Sequence, residues 1–208
     1  MVKQVCVMKS TLGRLPTYLN YLKSIDSSKK NISATIIAKA LGLGEVQVRK
    51  DLNAVSGAGR PKLGYKTASL IKSLEDVLGI YSCSKAVIVG AGKLGNALLG
   101  YNGFSEYGLE IAAAFDVKPT NSKTTNSLKS IFPIEQLPEY CKNEQIKIGI
   151  ITVPTGAAQD ICDILVDSGV TAIWNFAPCH LEVPSGVILQ NENLALSLAH
   201  LKSQMINK

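Results

Sequence analysis

The sequence is short of the groups that carry out chemistry. Its 208 residues include two histidines, His180 and His200. His180 follows Pro178-Cys179 in a predicted loop, and His200 lies in a predicted apolar C-terminal helix. Neither stands with an arginine and a carboxylate in a recognisable substrate set, so no catalytic residue is assigned and an enzyme is not expected. The five cysteines, Cys6, Cys83, Cys141, Cys162 and Cys179, are odd in number, widely spaced and without a CxxC pair. That excludes a disulfide framework and gives no metal site, which leaves ordinary reduced thiols as the expectation. No apolar run approaches the roughly 20 residues needed to cross a bilayer. The opening MVKQVCVMKSTLGR lacks the apolar stretch and cleavage site of a secretory signal. A cytoplasmic protein away from membranes is expected. With 46% hydrophobic and 18% charged residues, the chain reads as packed rather than disordered.

What charge there is lies unevenly. Residues 1–84 hold 13 Lys and Arg against 5 Asp and Glu, whereas residues 85–208 hold 9 against 11. The whole basic excess belongs to the first part, which points to a polyanionic partner for that part.

In that first part LPTYLNYLKSI places Leu15, Leu19, Leu22 and Ile25 on one helical face, with Pro16 in the tolerant first turn. NISATIIAKALG offers Ser33 as an N-cap and Gly42 as a stop. EVQVRKDLNAV puts Val48, Leu52 and Val55 inward and leaves Gln47, Arg49, Lys50 and Asn53 facing elsewhere. Ala38 and Gly42, four apart between two helices, suit the close packing and sharp turn of a helix-turn-helix. SGAGRPKLGY reads as a two-stranded wing with a basic tip at Arg60-Pro61-Lys62. TASLIKSLEDVLGI is predicted to be a helix bridging the two parts of the chain.

The second part alternates strands and helices. AVIVG (86–90), EIAAAFD (110–116), IKIGIITVP (146–154), TAIWNFA (171–177) and GVILQ (186–190) are apolar runs, and AAQDICDILVDSG is an amphipathic helix. Such alternation predicts an α/β Rossmann-type, doubly wound parallel sheet. The residues 119–127, PTNSKTTNS, are predicted to be a polar loop. Gly90-Ala91-Gly92-Lys93-Leu94-Gly95 fits GxGxxG, directly after a strand and opening a helix, which is the context a dinucleotide requires. Asp116 ends the second strand at the spacing of a ribose-binding carboxylate. A 2′-phosphate would meet a like charge there, which favours NAD(H), although Lys118 is close by.

Taken together, RLPTYLNYL, VRKDLNAVSGAGRPKLGY, KTASLIKSLEDVLG, VIVGAGKLGNALLGY and IWNFAP with a following VP resemble the Rex-type redox-sensing transcriptional repressors of bacteria over nearly the whole chain. The resemblance implies a winged-helix DNA-binding domain at residues 1–82, an NAD(H)-binding Rossmann domain at 83–192 and a C-terminal helix at 193–208 that swaps into the partner of a homodimer. It implies a palindromic operator in double-stranded DNA, released when NADH binds and kept when NAD⁺ does. The DNA-contacting residues would be Ser33, Gln47, Arg49 and Lys50, with Arg60 and Lys62 of the wing and Arg14. Cofactor contacts beyond the glycine loop and Asp116 would come from Tyr101, Val117, Lys118, Thr152, Val153, Pro154, Asn175 and Phe176. In the family the arginine matching Arg14 joins a tyrosine, here Tyr101, and an acid of the swapped helix. At the acid's position this chain has Ala195, which cannot accept a hydrogen bond, and Glu192 is the nearest substitute.

Two rival readings stay open at this point. One is an NAD-dependent oxidoreductase with an accessory winged helix. The other is a Rossmann domain that holds CoA.

Overall fold

The chain divides into two compact units, Met1–Ser82 and Cys83–Lys208. The computed structural model describes residues 7–26, 29–119 and 130–206, so Cys6 and most of the predicted polar loop lie outside the described residues.

The first unit runs α1 (Lys9–Leu12), α2 (Leu15–Ser24), β1 (Asn31–Ile32), α3 (Ala34–Leu41), α4 (Glu45–Ser56), β2 (Tyr65–Lys66) and α5 (Thr67–Leu78). α2 buries Leu15, Tyr18, Leu19 and Leu22. Ile25, expected on the same face, instead leaves the helix in extended conformation as its C-cap. Ser33 accepts a hydrogen bond from the Ile36 N–H at 3.3 Å and so starts α3. Gly42, at φ +65°, stops α3 in the left-handed conformation, and only Leu43 and Gly44 separate it from α4. The result is a helix-turn-helix. α5, read from the sequence as a bridge, buries Leu70 and Leu74 in the core of its own unit and ties Glu75 to Lys23 of α2 at 2.8 Å.

The wing differs from expectation. Its arms are joined by one bridge between Arg60 and Gly64, and the ladder runs instead from β2 to β1, pairing Ile32 with Tyr65. Gly64 makes this possible. Its φ is +74°, and a Cβ there would lie 2.3 Å from the Ile32 carbonyl oxygen, so no side chain fits between the wing and β1.

A carboxylate sits inside this apolar head. Asp51 of α4 is 4% exposed. Its Oδ1 accepts from Thr11 Oγ1 and Arg14 Nη2, each at 2.8 Å. Its Oδ2 accepts from Arg14 Nε at 2.7 Å and the Tyr18 hydroxyl at 2.8 Å. Burial alone would raise the Asp51 carboxyl, but the hydrogen bonds from Arg14, Tyr18 and Thr11 outweigh it and hold the group below its ordinary value. Burial, and then the hydrogen bond to Asp51, push the Tyr18 phenol up to about 12.

The second unit begins with β3 (Ser84–Val89) and α6 (Lys93–Leu99), followed by a 3-10 turn at Asn102–Tyr107 and β4 (Leu109–Asp116). It continues through β5 (Ile131–Pro133), α7 (Leu137–Asn143), β6 (Ile148–Ile151), α8 (Thr155–Asp167), β7 (Ala172–Asn175), β8 (Ile188–Asn191) and α9 (Leu194–Ile206). β5 and α7 were not expected from the sequence. The six strands are parallel in the order β5-β4-β3-β6-β7-β8, which is the doubly wound order of dinucleotide-binding folds. Alternate residues supply two cores. Val87, Val89, Phe115 and Ile151 face one way onto α7 and α8, while Ala86, Ile88, Ile111 and Ile150 face the other way onto Leu99 of α6. α9 buries none of its residues: Leu194, Leu196, Leu198 and Leu201 are 55–67% exposed.

The Asp51 network makes the head acid-sensitive. Because the folded carboxyl lies below its ordinary value of 3.8, its contribution is complete above that pH and drains as pH falls through the folded value. Thermal melts followed by circular dichroism should show the wild type losing stability on acidification below about pH 4, with Asp51→Asn starting lower and declining less steeply.

Candidate functional site

The order of the sheet reverses between β3 and β6, and the loops after these two strands open a crevice at their carboxyl ends. Each glycine of the first loop has a separate task. Gly90, at φ +100°, turns away from β3, and a Cβ there would lie 2.9 Å from the Thr152 carbonyl. Gly95 presses α6 against the loop, where a Cβ would sit 1.9 Å from the Gly90 oxygen. Thr152 shares its single hydroxyl hydrogen between the Gly90 carbonyl at 2.7 Å and that of Val89 at 3.1 Å, which locks the two loops together. Asn96 braces the loop from behind by donating to the carbonyls of Ala91 and Gly92. Gly92 alone is open, since a Cβ there meets nothing within 4 Å. A rigid backbone cradle with one bare face is what close approach to a pyrophosphate requires.

Asp116 ends β4 beside this loop. Its Oδ2 accepts from the Ala91 N–H at 2.7 Å and its Oδ1 from the Lys118 N–H at 2.9 Å. Two backbone donors thus fix the carboxylate at the mouth of the crevice while it remains partly exposed, with lone pairs left for hydroxyl donors. Val117, Lys118, Lys93 and Leu94 are exposed around it.

Val153 and Pro154 follow β6, and Phe176 follows β7. Phe176 packs against Trp174 with ring centroids 4.6 Å apart and planes tilted by 58°, Trp174 meets Phe104 edge-on at 6.0 Å, and Phe104 meets Tyr101 edge-on at 5.0 Å. Tyr101, at the outer end of this row, is 58% exposed. Asn175 departs from expectation. It is completely buried, and its amide is used within the protein, donating to the carbonyls of Ala177 and Cys179 and to Asn191 Oδ1 and accepting from the Ala177 N–H. It shapes the loop after β7, with its side-chain amide committed within the protein. Glu192 accepts from the Trp174 indole at 3.3 Å.

On the first unit, Gln47, Arg49, Lys50, Arg60 and Lys62 are all exposed, on α4 and the wing tip. Arg49 is paired with Glu45 one turn earlier at 2.6 Å. Lys62 holds the tip at φ +64°, between Pro61 and Leu63. Ser33 is occupied as a helix cap. Arg14 has its partner, Asp51, inside its own unit, an arrangement that sequence reasoning missed. The signal was present: Asp51 falls three residues after Val48 and just before Leu52, within the inward stripe of α4. Among the cysteines, Cys141 is buried and its thiol is pushed up to about 11 by that burial, and Cys162 is also raised, first by burial. Neither is a ready thiolate.

Residues 82–179 match the family described as "CoA binding domain", and residues 7–53 match "Putative DNA-binding protein N-terminus". The chain is 40% identical over 200 residues to the redox-sensing transcriptional repressor Rex of Porphyromonas gingivalis, covering 96% of this chain and 92% of that protein. It is 40% identical over 210 residues to that of Treponema denticola, covering the whole of both. Among solved structures it superimposes on RSP in complex with β-NAD⁺ and operator DNA with a TM-score of 0.87, at 32% identity over 96% of this chain and 92% of that one. For RSP in complex with β-NADH the TM-score is 0.85, at 32% identity over 96% and 94%.

The two glycine environments separate binding from folding. Gly92→Ala fills only the bare face and should leave the melting temperature unchanged while abolishing dinucleotide binding in calorimetric titration. Gly95→Ala, driven into the Gly90 carbonyl, should lower the melting temperature as well.

Proposed function

The chain belongs to the Rex family of redox-sensing transcriptional repressors, and on that premise we propose that its first unit grips operator DNA while its second binds NAD(H), with NADH releasing the DNA. The observation that carries this reading is the presence in one chain of two sites for different polyanions. One is the bare face of Gly92 beside the fixed carboxylate of Asp116, and the other is the set of exposed cations on α4 and the wing. The protein is a regulator and not an enzyme. Among the described residues no helix is long and apolar enough to cross a membrane, and a regulator that works on bacterial DNA acts in the cytoplasm.

In this reading residues 90–95 cradle the pyrophosphate and Asp116 accepts from the adenosine ribose hydroxyls, with Val117 and Lys118 alongside. Thr152, Val153, Pro154, Phe176 and Tyr101 lie toward the nicotinamide. The oxidised ring carries a positive charge and the reduced ring does not. Val153, Pro154 and Phe176 supply no anion, and an unpaired buried cation costs several kcal/mol, so these residues favour the neutral ring. A ligand moves an equilibrium only through its different affinities for the two states, and by linkage operator DNA weakens NADH binding by the factor with which NADH weakens DNA binding.

Gln47, Arg49 and Lys50 would meet the major groove, and Arg60 and Lys62 the adjacent minor groove or phosphates, with residues 1–82 as the DNA-binding domain and 83–192 as the NAD(H) domain. α9, within 193–208, exposes a set of leucines that its own chain does not cover. Exchange of this helix between the two copies of a homodimer would bury them, and a two-fold dimer matches a palindromic operator.

The test is the mobility of a palindromic operator duplex. NADH should release it, while NAD⁺ and CoA leave it bound. Asp116→Ala should weaken NADH about tenfold or more through the loss of charge-assisted hydrogen bonds, with binding of the duplex unchanged when no nucleotide is present. Loss of duplex binding by Asp116→Ala without nucleotide would overturn the division of roles. Arg60→Ala should lower duplex affinity across sequences and reduce the slope of log K against log salt by about one.

A further inference from the structure

Gln47 lies one turn before Asp51 on the exposed side of α4, and its amide reaches back over Arg14. One terminal atom of that amide is 2.9 Å from Arg14 Nε and 3.1 Å from Nη1. Neither nitrogen can accept a hydrogen bond. The single hydrogen of Nε is already given to Asp51, so that Nη1 is the donor left to the amide, and the group keeps its positive charge. An amide NH₂ at that distance would set donor against donor and a partial positive charge against a cation. The atom facing Arg14 is therefore the oxygen, Oε1. Arg14 cannot turn aside to relieve the contact. Asp51 holds its Nε and Nη2 at 2.7 and 2.8 Å, and Asp51 is itself pinned by Tyr18 and Thr11.

We infer that Arg14, held by Asp51, is a positioning residue that fixes the Gln47 amide with its oxygen inward and its NH₂ outward, so that this position of the recognition helix reads hydrogen-bond acceptors on a base edge. The inference rests on the DNA-binding reading above and adds the chemistry of the base contacted. A free glutamine suits adenine, giving a hydrogen to N7 and accepting one from N6. A glutamine whose oxygen is taken by an arginine cannot complete that pair. It retains two hydrogens, which match the O6 and N7 acceptors of guanine or, less fully, the O4 of thymine. Exposed Gln47 would then discriminate against adenine, the base a glutamine in that groove ordinarily selects.

Selection of bound duplexes from a library randomised in two palindromic half-sites, using the full chain without NADH, tests this. The wild type should enrich guanine over adenine about tenfold at one position of each half-site. Gln47→Ala should erase the preference at that position alone. Gln47→Glu leaves one oxygen on Arg14 and turns the other, an acceptor, toward the base, so the same position should change to cytosine, which offers its N4 hydrogens. Arg14→Lys keeps a cation beside Asp51 but frees the amide, and the guanine-to-adenine ratio should fall toward one. Should Arg14→Lys fail to fold in a thermal melt, the two Gln47 variants, at an exposed position, still decide the matter. Enrichment of adenine by the wild type at the Gln47-dependent position would overturn the inference. So would weaker binding by Gln47→Ala with an unchanged base profile, which would make Gln47 a phosphate contact. If the wild type enriches no duplex at all, the DNA-binding reading falls and this inference with it.

Discussion

The head of this protein is organised around one buried negative charge. Asp51 takes a place in the inward stripe of α4 that the pattern of Val48 and Leu52 would assign to an apolar residue. A carboxylate taken from water without partners costs several kcal/mol, so it can stand there only because four donor atoms, from Thr11 of α1, the α2 N-cap Arg14 and Tyr18 of α2, close around it. Packed apolar residues in place of the whole set, Asp51 with Arg14, Tyr18 and Thr11, would serve stability as well or better, whereas loss of Asp51 alone would leave its donors unpaired. What the charge supplies is direction. Apolar contacts tolerate rotation and sliding, whereas two carboxylate oxygens with four donors admit one arrangement. The angle of α4 against α2, and through Arg14 the orientation of Gln47, are set by that arrangement.

The second unit reaches its purpose by omitting side chains. At Gly90 and Gly95 the missing Cβ lets strand, loop and helix close on one another, and at Gly92 it leaves a bare face for something else. Thr152, Asn96 and Asp116 then hold the emptied loop in place with hydrogen bonds to its backbone. The two units divide the electrostatics accordingly. The head carries the whole basic excess, and the sheet domain, slightly acidic, has Asp116 fixed beside its glycine loop. Each unit is suited to a phosphate-bearing ligand, one through long cationic side chains at an exposed surface and the other through backbone N–H groups at short range.

Most of this was legible in the sequence where local pattern and tertiary role coincide. The buried parallel strands declared themselves as apolar runs, and the glycine loop by its place between strand and helix. The helix-turn-helix was marked by Ser33, Ala38 and Gly42. What could not be read depended on pairings distant in the chain. Arg14 and Asp51 are 37 residues apart, so nothing local announced the pair, and the resemblance assigned the arginine to DNA and to a network with Tyr101. The wing looked like a self-contained hairpin because nothing local says that β2 will pair with β1, on the far side of α3 and α4 in the chain. β5 has three residues and α7 has seven, too few to set a period. Asn175 misled for a different reason. The resemblance placed it among the cofactor contacts, but it shares a face with Ile173, and alternation along β7 sends that face into the core.

α9 has 13 residues, none of them buried. A helix of that length is marginal in water unless something packs against it. In the exchanged dimer proposed above, its order would be a property of pairs of molecules rather than of one, and it would obey mass action. Dilution would then fray it and higher copy number firm it, and the amount of protein made would be a third input to the proposed switch, beside the nucleotide and the duplex.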